Sequence, residues 1–234
     1  MRIDLNADLG ESWPRWTSGE DVALLDVVTS ANVCCGAYAG DEELMRVTCE
    51  AAVARGVSIG AQVGYPDREN FGRVQLEIGS AELTAEVARQ IALLDGIARS
   101  VGGRVAYVKP HGALYNRIID DEVQARAVVD ALPDLPLMGL PRSVSLSIAG
   151  AAGIAVIHEG FADRAYTPEG RLVARTEPGA VLDDPDAVAA QAVRLLGSVA
   201  SVCVHSDSPG ALELARAVRA ALESAGAELR SAAS

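Results

Sequence analysis

Short apolar runs alternate along this chain with longer stretches whose apolar residues recur at helical spacing, and that alternation limits the fold more than any other feature. Residues 3–8 alternate apolar and polar side chains, and runs of similar length follow at 28–33, 57–61, 105–108, 137–140, 154–159 and 201–205; each reads as a strand. Between them lie candidate helices. Ser18 and Asp21 resemble a capping box opening a helix toward Val28, with Trp13, Pro14 and Trp16 in the loop before it. Asp41 caps a helix with Leu44, Val47, Thr48 and Ala51 on one face. Leu83, Val87, Ile91 and Leu94 mark another, and further helices are expected at 121–131, at 143–152, from Pro185 and around Leu214, Val218, Ala221 and Leu222. Strands joined by crossover helices form a parallel sheet. About seven such units predict an α/β chain forming a single-domain (β/α) barrel of about seven parallel strands over residues 1–234, rather than a small open sheet.

A barrel brings every strand's C-terminal end to one mouth, and the polar residues of this sequence cluster just there. Asn6, Asp8 and Glu11 follow the first strand, Asn32 ends the second and Gln62 the third. Lys109, His111 and Asn116 follow the fourth. Glu159, Asp163 and Arg164 follow the sixth, and His205 and Asp207 the last. Lys109 is the one lysine in a chain with 20 Lys plus Arg, which singles out a compact ammonium that a planar guanidinium does not mimic. Individually these residues have plain readings as helix caps, loop hydrogen bonds or exposed charges. Six strand ends presenting chemistry to one mouth predict an active site. The loop 62–79, with its Phe71-Gly72-Arg73 turn, is long enough to expect a function of its own. Pro110 and Gly112 are expected to stop regular structure, and residues 231–234 to fray.

The formal net charge is -12, so the overall field opposes nucleic acid and anionic membrane surfaces. No apolar run approaches the roughly 20 residues of a bilayer span, and the opening residues are too polar for a secretory signal, so a cytoplasmic protein is expected. Cys34, Cys35, Cys49 and Cys203 lack CxxC spacing and read as reduced thiols.

Several motifs also carry a resemblance. Asp4-Leu5-Asn6-Ala7-Asp8-Leu9-Gly10-Glu11, Ser30-Ala31-Asn32, residues 108–116, residues 159–166 with Pro168, Gly170, Arg171 and Leu172, and Cys203-Val204-His205 with Asp207, Pro209 and Gly210 resemble the LamB/YcsF family, the A subunits of the prokaryotic ATP-dependent 5-oxoprolinase. The resemblance implies a seven-stranded barrel related to polysaccharide deacetylase-like folds. It implies hydrolytic opening of the small lactam 5-oxoproline to glutamate at the expense of ATP, with Mg, in a complex with separate B and C subunits; a homo-oligomer stays open. In that chemistry Asp8 or Glu11 would activate water, Lys109 would hold phosphate or an oxyanion, and His111 would protonate the departing nitrogen. Arg164 would take a substrate carboxylate, with Glu159, Asp163 and Asp207 fixing the cations around it. Asn6, Asn32 and Asn116 would add neutral hydrogen bonds, and His205 completes the catalytic group.

Two departures bear on that chemistry. Where the family reads Cys-Gly-Phe-His-Ala-Gly-Asp and Gly-Ala-His-Pro, this chain has Cys35-Gly36-Ala37-Tyr38-Ala39-Gly40-Asp41 and Gly60-Ala61-Gln62-Val63, and Ser206 replaces a family glycine. Neither tyrosine nor glutamine replaces an imidazole as metal ligand or base. No tightly bound transition metal is therefore expected. Two alternatives stand beside the resemblance: a non-catalytic or substrate-divergent paralogue that binds partner subunits or a small anion, and a metal-dependent amidase or deacetylase.

Overall fold

In the computed structural model, which describes residues 1–208 and 210–233, seven parallel strands close on themselves. In chain order these are β1 (Arg2–Leu9), β2 (Ser30–Cys34), β3 (Ser58–Val63), β4 (Val105–Pro110), β5 (Leu137–Gly139), β6 (Val156–Phe161) and β7 (Ser201–Cys203). Closure is made by β1, which pairs with β2 on one side (Asp8↔Asn32) and with β7 on the other (Asn6↔Cys203). A short eighth strand, β8 (Glu228–Leu229), adds to the start of β1. Outside the barrel lie α1 (Trp13–Thr17), α2 (Glu20–Leu25), α3 (Glu42–Ala54), α4 (Ser80–Ser100), α5 (Gly112–Arg117), α6 (Glu122–Asp130), α7 (Val144–Ala151), α8 (Pro185–Leu195) and α9 (Ala211–Ser224). No helix among the described residues is long and apolar enough to cross a membrane.

The two faces of the strands differ in chemistry. Ile3, Leu5, Ala7, Leu9, Ala31 and Val33 join the main apolar core with Leu24, Met45, Leu83 and Leu214 of the surrounding helices. The alternate residues of the same strands, one step away in a period of two, point into the barrel. There the lining is polar: Asp4, Asn6, Ser30, Asn32, Gln62, Glu159 and Ser201 are fully buried. Such groups are tolerated only with partners, and Asp4 accepts from Thr29 Oγ1 (2.6 Å), Ser30 Oγ (2.7 Å) and Ser201 Oγ (2.5 Å). Gly60 is required at its position because a Cβ there would fall inside the Tyr107 ring. Tyr107 fills that space and donates to Asn32 Oδ1 over 2.6 Å.

Four local expectations are corrected. Ser18 ends α1 as its C-cap instead of opening a helix; Gly19, with φ 83, separates two short helices, and Asp21 is buried as acceptor for Gly10 N and Arg15 Nε. Trp13, Pro14 and Trp16 therefore belong to a helix, α1. Gly112 opens α5 instead of ending regular structure, with φ 57 and the Gly72 carbonyl packed where a side chain would stand. Residues 231–233 close the bottom of the barrel, Ser231 Oγ lying 3.0 Å from Ser30 Oγ and Ala232 and Ala233 packing on Tyr107, Met138 and Ile157. Pro209 of the family motif and Ser234 of the expected frayed end lie outside the described residues.

Candidate functional site

The end of β4 delivers Lys109 into the barrel, where Nζ lies 2.7 Å from Glu159 Oε1, 3.2 Å from Asp8 Oδ1, 3.1 Å from Asn6 Oδ1 and 3.2 Å from Cys203 Sγ. Burial opposes the ammonium charge, but the neighbouring Asp8 and then Cys203 and Glu159 hold its pKa well above the ordinary lysine value. Burial alone would likewise raise Asp8; the Lys109 ammonium, with His205 and His111, instead keeps it well below the usual carboxylate range. Beneath this pair, Asn32 donates to Asn6 (2.7 Å) and Asp8 (2.9 Å), and Asn6 donates to Glu159 (3.1 Å) and Ser201 (2.7 Å). Asn6 and Asn32, expected to meet substrate, thus orient the charged pair from below. Glu159 does the same and lies fully buried.

Glu11 leaves β1 on the same side as Asp8. Its carboxyl is pushed well above the usual range by burial and then by the charges of Asp8 and Asp207. The two carboxyl groups are therefore driven apart, Asp8 toward the ionised form by Lys109 and Glu11 toward the protonated form by burial.

His111 is enclosed by the residues that replace the family's histidines. Tyr38 stacks on its ring with centroids 4.2 Å apart and planes 5° from parallel, and Gln62 Nε2 lies 3.2 Å from Nδ1. The other ring nitrogen, Nε2, is 3.2 Å from Phe71 O. A carbonyl only accepts, so Nε2 carries the proton and Nδ1 accepts from Gln62. Burial, reinforced by Arg73 and only partly offset by Asp8, lowers His111 to about 4. His111 is thus a neutral, doubly engaged imidazole, which removes it from the proton-donor role.

His205 takes up that position. Asp163 Oδ1 and Oδ2 both lie 3.0 Å from His205 Nδ1, and Asp163 Oδ2 also accepts from the backbone N of His205. This fixes the tautomer and leaves Nε2 as the free ring nitrogen. Phe161 stacks on the ring, centroids 5.2 Å apart. Asp163 would be raised by burial, but the His205 imidazole and two hydrogen bonds from that residue lower it.

These groups surround a cavity of about 530 Å³ lined by Asp8, Lys109, His111, His205, Tyr115 and Phe161, with Asn116 at its edge. Two loops form its rim. Arg73, on the loop after β3, and Arg175, on the irregular stretch after β6, both approach Asp207 Oδ2, at 2.5 and 3.5 Å. Burial would raise Asp207; the guanidinium groups of Arg175 and Arg73 bring it below its ordinary value. Arg164, expected to take a substrate carboxylate, also lines the cavity, with Nε and a terminal nitrogen donating to Ala180 O (3.1 Å) and Val173 O (2.6 Å). It shapes the loop that carries Arg175. Neither Arg73 nor Arg175 is among the expected site residues; the length of the first loop and the arginine content of the second are the available signals.

The Asp8, Glu11 and His111 donor atoms lie within 4.8 Å of one another, the spacing of a metal site. Lys109 already pairs with Asp8, burial pushes Glu11 toward its protonated form, and both His111 nitrogens have hydrogen-bond partners, a set that opposes a metal. Metal ligands must be deprotonated and free.

The LamB/YcsF family model matches residues 3–234. This chain belongs to the LamB/YcsF family. Among its LamB/YcsF relatives, the 5-oxoprolinase A subunit of Streptomyces avermitilis is 54% identical, over 96% of this chain and 97% of that protein. A 5-oxoprolinase A subunit of Pseudomonas syringae pv. tomato is 50% identical over 97% and 96%. Among solved structures, the lactam utilization protein from Thermus thermophilus superposes with a TM-score of 0.91 at 38% identity, covering 98% of this chain and 99% of that one. A family 4 carbohydrate esterase from Streptomyces lividans matches at a TM-score of 0.52 and 13% identity, over 97% of this chain and 91% of that one. That likeness relates the LamB/YcsF barrel to deacetylase folds and concerns the fold alone.

Proposed function

We propose that this protein is the A subunit of a 5-oxoprolinase, opening 5-oxoproline to L-glutamate by hydrolysis coupled to ATP, in a complex with B and C subunits. The observation that carries the reading is the ionised Asp8 held against Lys109 at the cavity floor, with His205 and its Asp163 partner on the same wall. The relatives named as 5-oxoprolinase A subunits, near 50% identity and matching end to end, support it. An unactivated lactam resists water because amide resonance opposes attack and the ring nitrogen leaves poorly. ATP, used with Mg by the assembled complex, would supply activation by phosphorylating the lactam oxygen on a partner protein. A need for ATP is in keeping with a cytoplasmic enzyme.

In this reading, Asp8 takes a proton from water as its oxygen bonds to the lactam carbonyl carbon. Lys109 faces the oxygen on which negative charge develops. The carbon–nitrogen bond then breaks as the proton that Asp8 took from water is relayed through His205 Nε2, which accepts it and passes it to the departing nitrogen. The phosphoryl group on the former lactam oxygen leaves as inorganic phosphate on hydrolysis by a second water, so that lactam, ATP and two waters give glutamate, ADP and phosphate. Burial drives the Glu11 pKa up while Lys109 draws that of Asp8 down, and environments that drive two carboxyl pKa values apart assign their roles.

The test is reconstitution with B and C subunits, following glutamate and ADP from 5-oxoproline. Stoichiometric release lost in Asp8→Asn supports the reading. Full turnover in Asp8→Asn would leave this chain a non-catalytic component that binds partners.

A further inference from the structure

The charges around the cavity are divided by depth. At the floor one ammonium, Lys109, is shared by two carboxylates, Asp8 and Glu159. At the rim the ratio is reversed, with two guanidinium groups, Arg73 and Arg175, sharing the single carboxylate of Asp207. In a chain of net charge -12, this is a local excess of positive charge at the entrance to the cavity.

Both arginines are held from behind. Arg68 ties the first loop to the Gly36 and Gly40 carbonyls at 2.6 and 2.8 Å, and Ala113 N bonds Gly72 O at 2.9 Å. Phe71 adopts φ 56, a costly conformation for a bulky residue. It is fixed between Tyr38, edge-on at 5.6 Å, and the Arg73 guanidinium 5.0 Å above its ring. Arg164 braces the second loop on both sides of Arg175 through Val173 and Ala180. Each guanidinium has five donors and gives one hydrogen bond to Asp207. Donors remain on both, on side chains that line the cavity.

We propose that Arg73 and Arg175 are the specificity-determining pair of this site, receiving the carboxylate of an anionic lactam at the rim and thereby directing its ring carbonyl down to Asp8 and Lys109. The inference rests on the lactam reading above and adds the residues that would select the carboxylate-bearing lactam over a neutral one. Planar guanidinium forks match a carboxylate in a bidentate manner, and prepositioned loops reduce the ordering cost of binding.

The experiment is calorimetric titration of the full chain with 5-oxoproline, with 2-pyrrolidinone, which is the same ring without the carboxylate, and with inorganic phosphate. Wild type is compared with Arg73→Gln and Arg175→Gln, with thermal unfolding as the folding control. Wild type should bind 5-oxoproline at least tenfold more tightly than 2-pyrrolidinone. Each substitution should remove most of that preference while leaving 2-pyrrolidinone affinity unchanged. Absence of 5-oxoproline binding, equal affinity for the two lactams, or equal loss for both in the variants would overturn the proposal. Phosphate binding more tightly than 5-oxoproline would assign the arginines to a phosphoryl group and overturn it too. The two readings fail separately. Arginine-dependent binding without glutamate release by the ATP-supplied complex removes the oxoprolinase function only. Glutamate release with KM unmoved in both variants removes the clamp only.

Discussion

Gln62 donates its side-chain amide to His111 Nδ1 over 3.2 Å, and the opposite ring nitrogen faces Phe71 O at the same distance. An amide does not titrate, so the residue standing at a family histidine position makes its neighbour's protonation state permanent over the neutral range. The imidazole becomes a fixed strut between β3 and the loop that carries Arg73.

The burial of that strut makes stability depend on acid. In an unfolded chain His111 titrates near its ordinary 6.5, whereas in the fold burial, aided by Arg73 against the pull of Asp8, brings it to about 4. Between those values the unfolded state binds the additional proton, so stability falls as pH falls through the window and levels off below it. The contribution is roughly 3 kcal/mol. Glu11, whose pKa is raised, works in the opposite direction and calls for a difference measurement. Denaturant unfolding of wild type and His111→Asn from pH 7 to pH 4 should show the gap between them shrinking with acid. A constant gap would mean that His111 keeps an ordinary pKa in the fold.

Lys109 is 2% exposed, so its substitution is a core event. Lys109→Met leaves Asp8 and Glu159 facing one another without a cation, and breaking a buried pair this way costs about 3–5 kcal/mol. Lys109→Arg retains charge but places a wider, planar group against Asn6 and Cys203. Turnover in both variants should fall about a hundred- to thousandfold, the effect of losing one oxyanion donor. Urea unfolding and reconstituted turnover decide the matter; wild-type rates in Lys109→Arg would exclude the ammonium from the chemistry.

The barrel is legible in the sequence because its strands announce themselves by period and its polar residues by position after each strand. Asp8, Lys109 and His205 lie on or beside strands whose direction is set by the closed sheet, so their convergence follows from topology. Arg73 and Arg175 sit on irregular loops, whose paths depend on tertiary bonds such as Arg68 to Gly36 and Arg164 to Val173. No periodicity encodes those bonds. The loop-bracing bonds of Arg164 are hidden for the same reason: their acceptors are backbone carbonyls 9 and 16 residues away. The Ser18/Asp21 pair fits a capping pattern, yet burial of Asp21 under Gly10 and Arg15 decides its role. Residues 231–233 are short and polar enough to read as a frayed end, but the open bottom of the barrel gives them a surface to cover.

The donor chemistry at Asp8, Glu11 and His111 predicts indifference to transition metals. Protein dialysed against a chelator should keep its unfolding temperature, and the reconstituted complex should require only the Mg that accompanies ATP. Elemental analysis checks this directly: stoichiometric zinc lost together with turnover would show that the Lys109–Asp8 pair gives way to a metal. Tyr38→His with Gln62→His restores two imidazoles beside His111 and should raise zinc affinity, measurable by competition with a chromogenic chelator.

Asp163 is placed to act through His205 without touching substrate. Its two oxygens hold Nδ1 and the backbone N of His205 at 3.0 Å, so the carboxylate selects the tautomer in which Nε2 is free toward the cavity. Asp163→Asn keeps the volume but offers an N–H where an acceptor is needed, favouring the wrong tautomer. In a serine protease triad the equivalent change lowers turnover about ten-thousandfold, and a loss of at least about a hundredfold is expected here. A merely structural role would lower stability and leave the pH profile of the remaining activity unchanged. A positioning role should change the pH dependence of kcat, with KM for 5-oxoproline nearly constant because Arg73 and Arg175 are untouched. Measuring kcat and KM from pH 5.5 to 9 in the reconstituted complex, beside thermal unfolding of the isolated chain, separates the two. An unshifted profile with proportionate loss of folded protein would return Asp163 to the scaffold and leave His205 without a proton-handling partner.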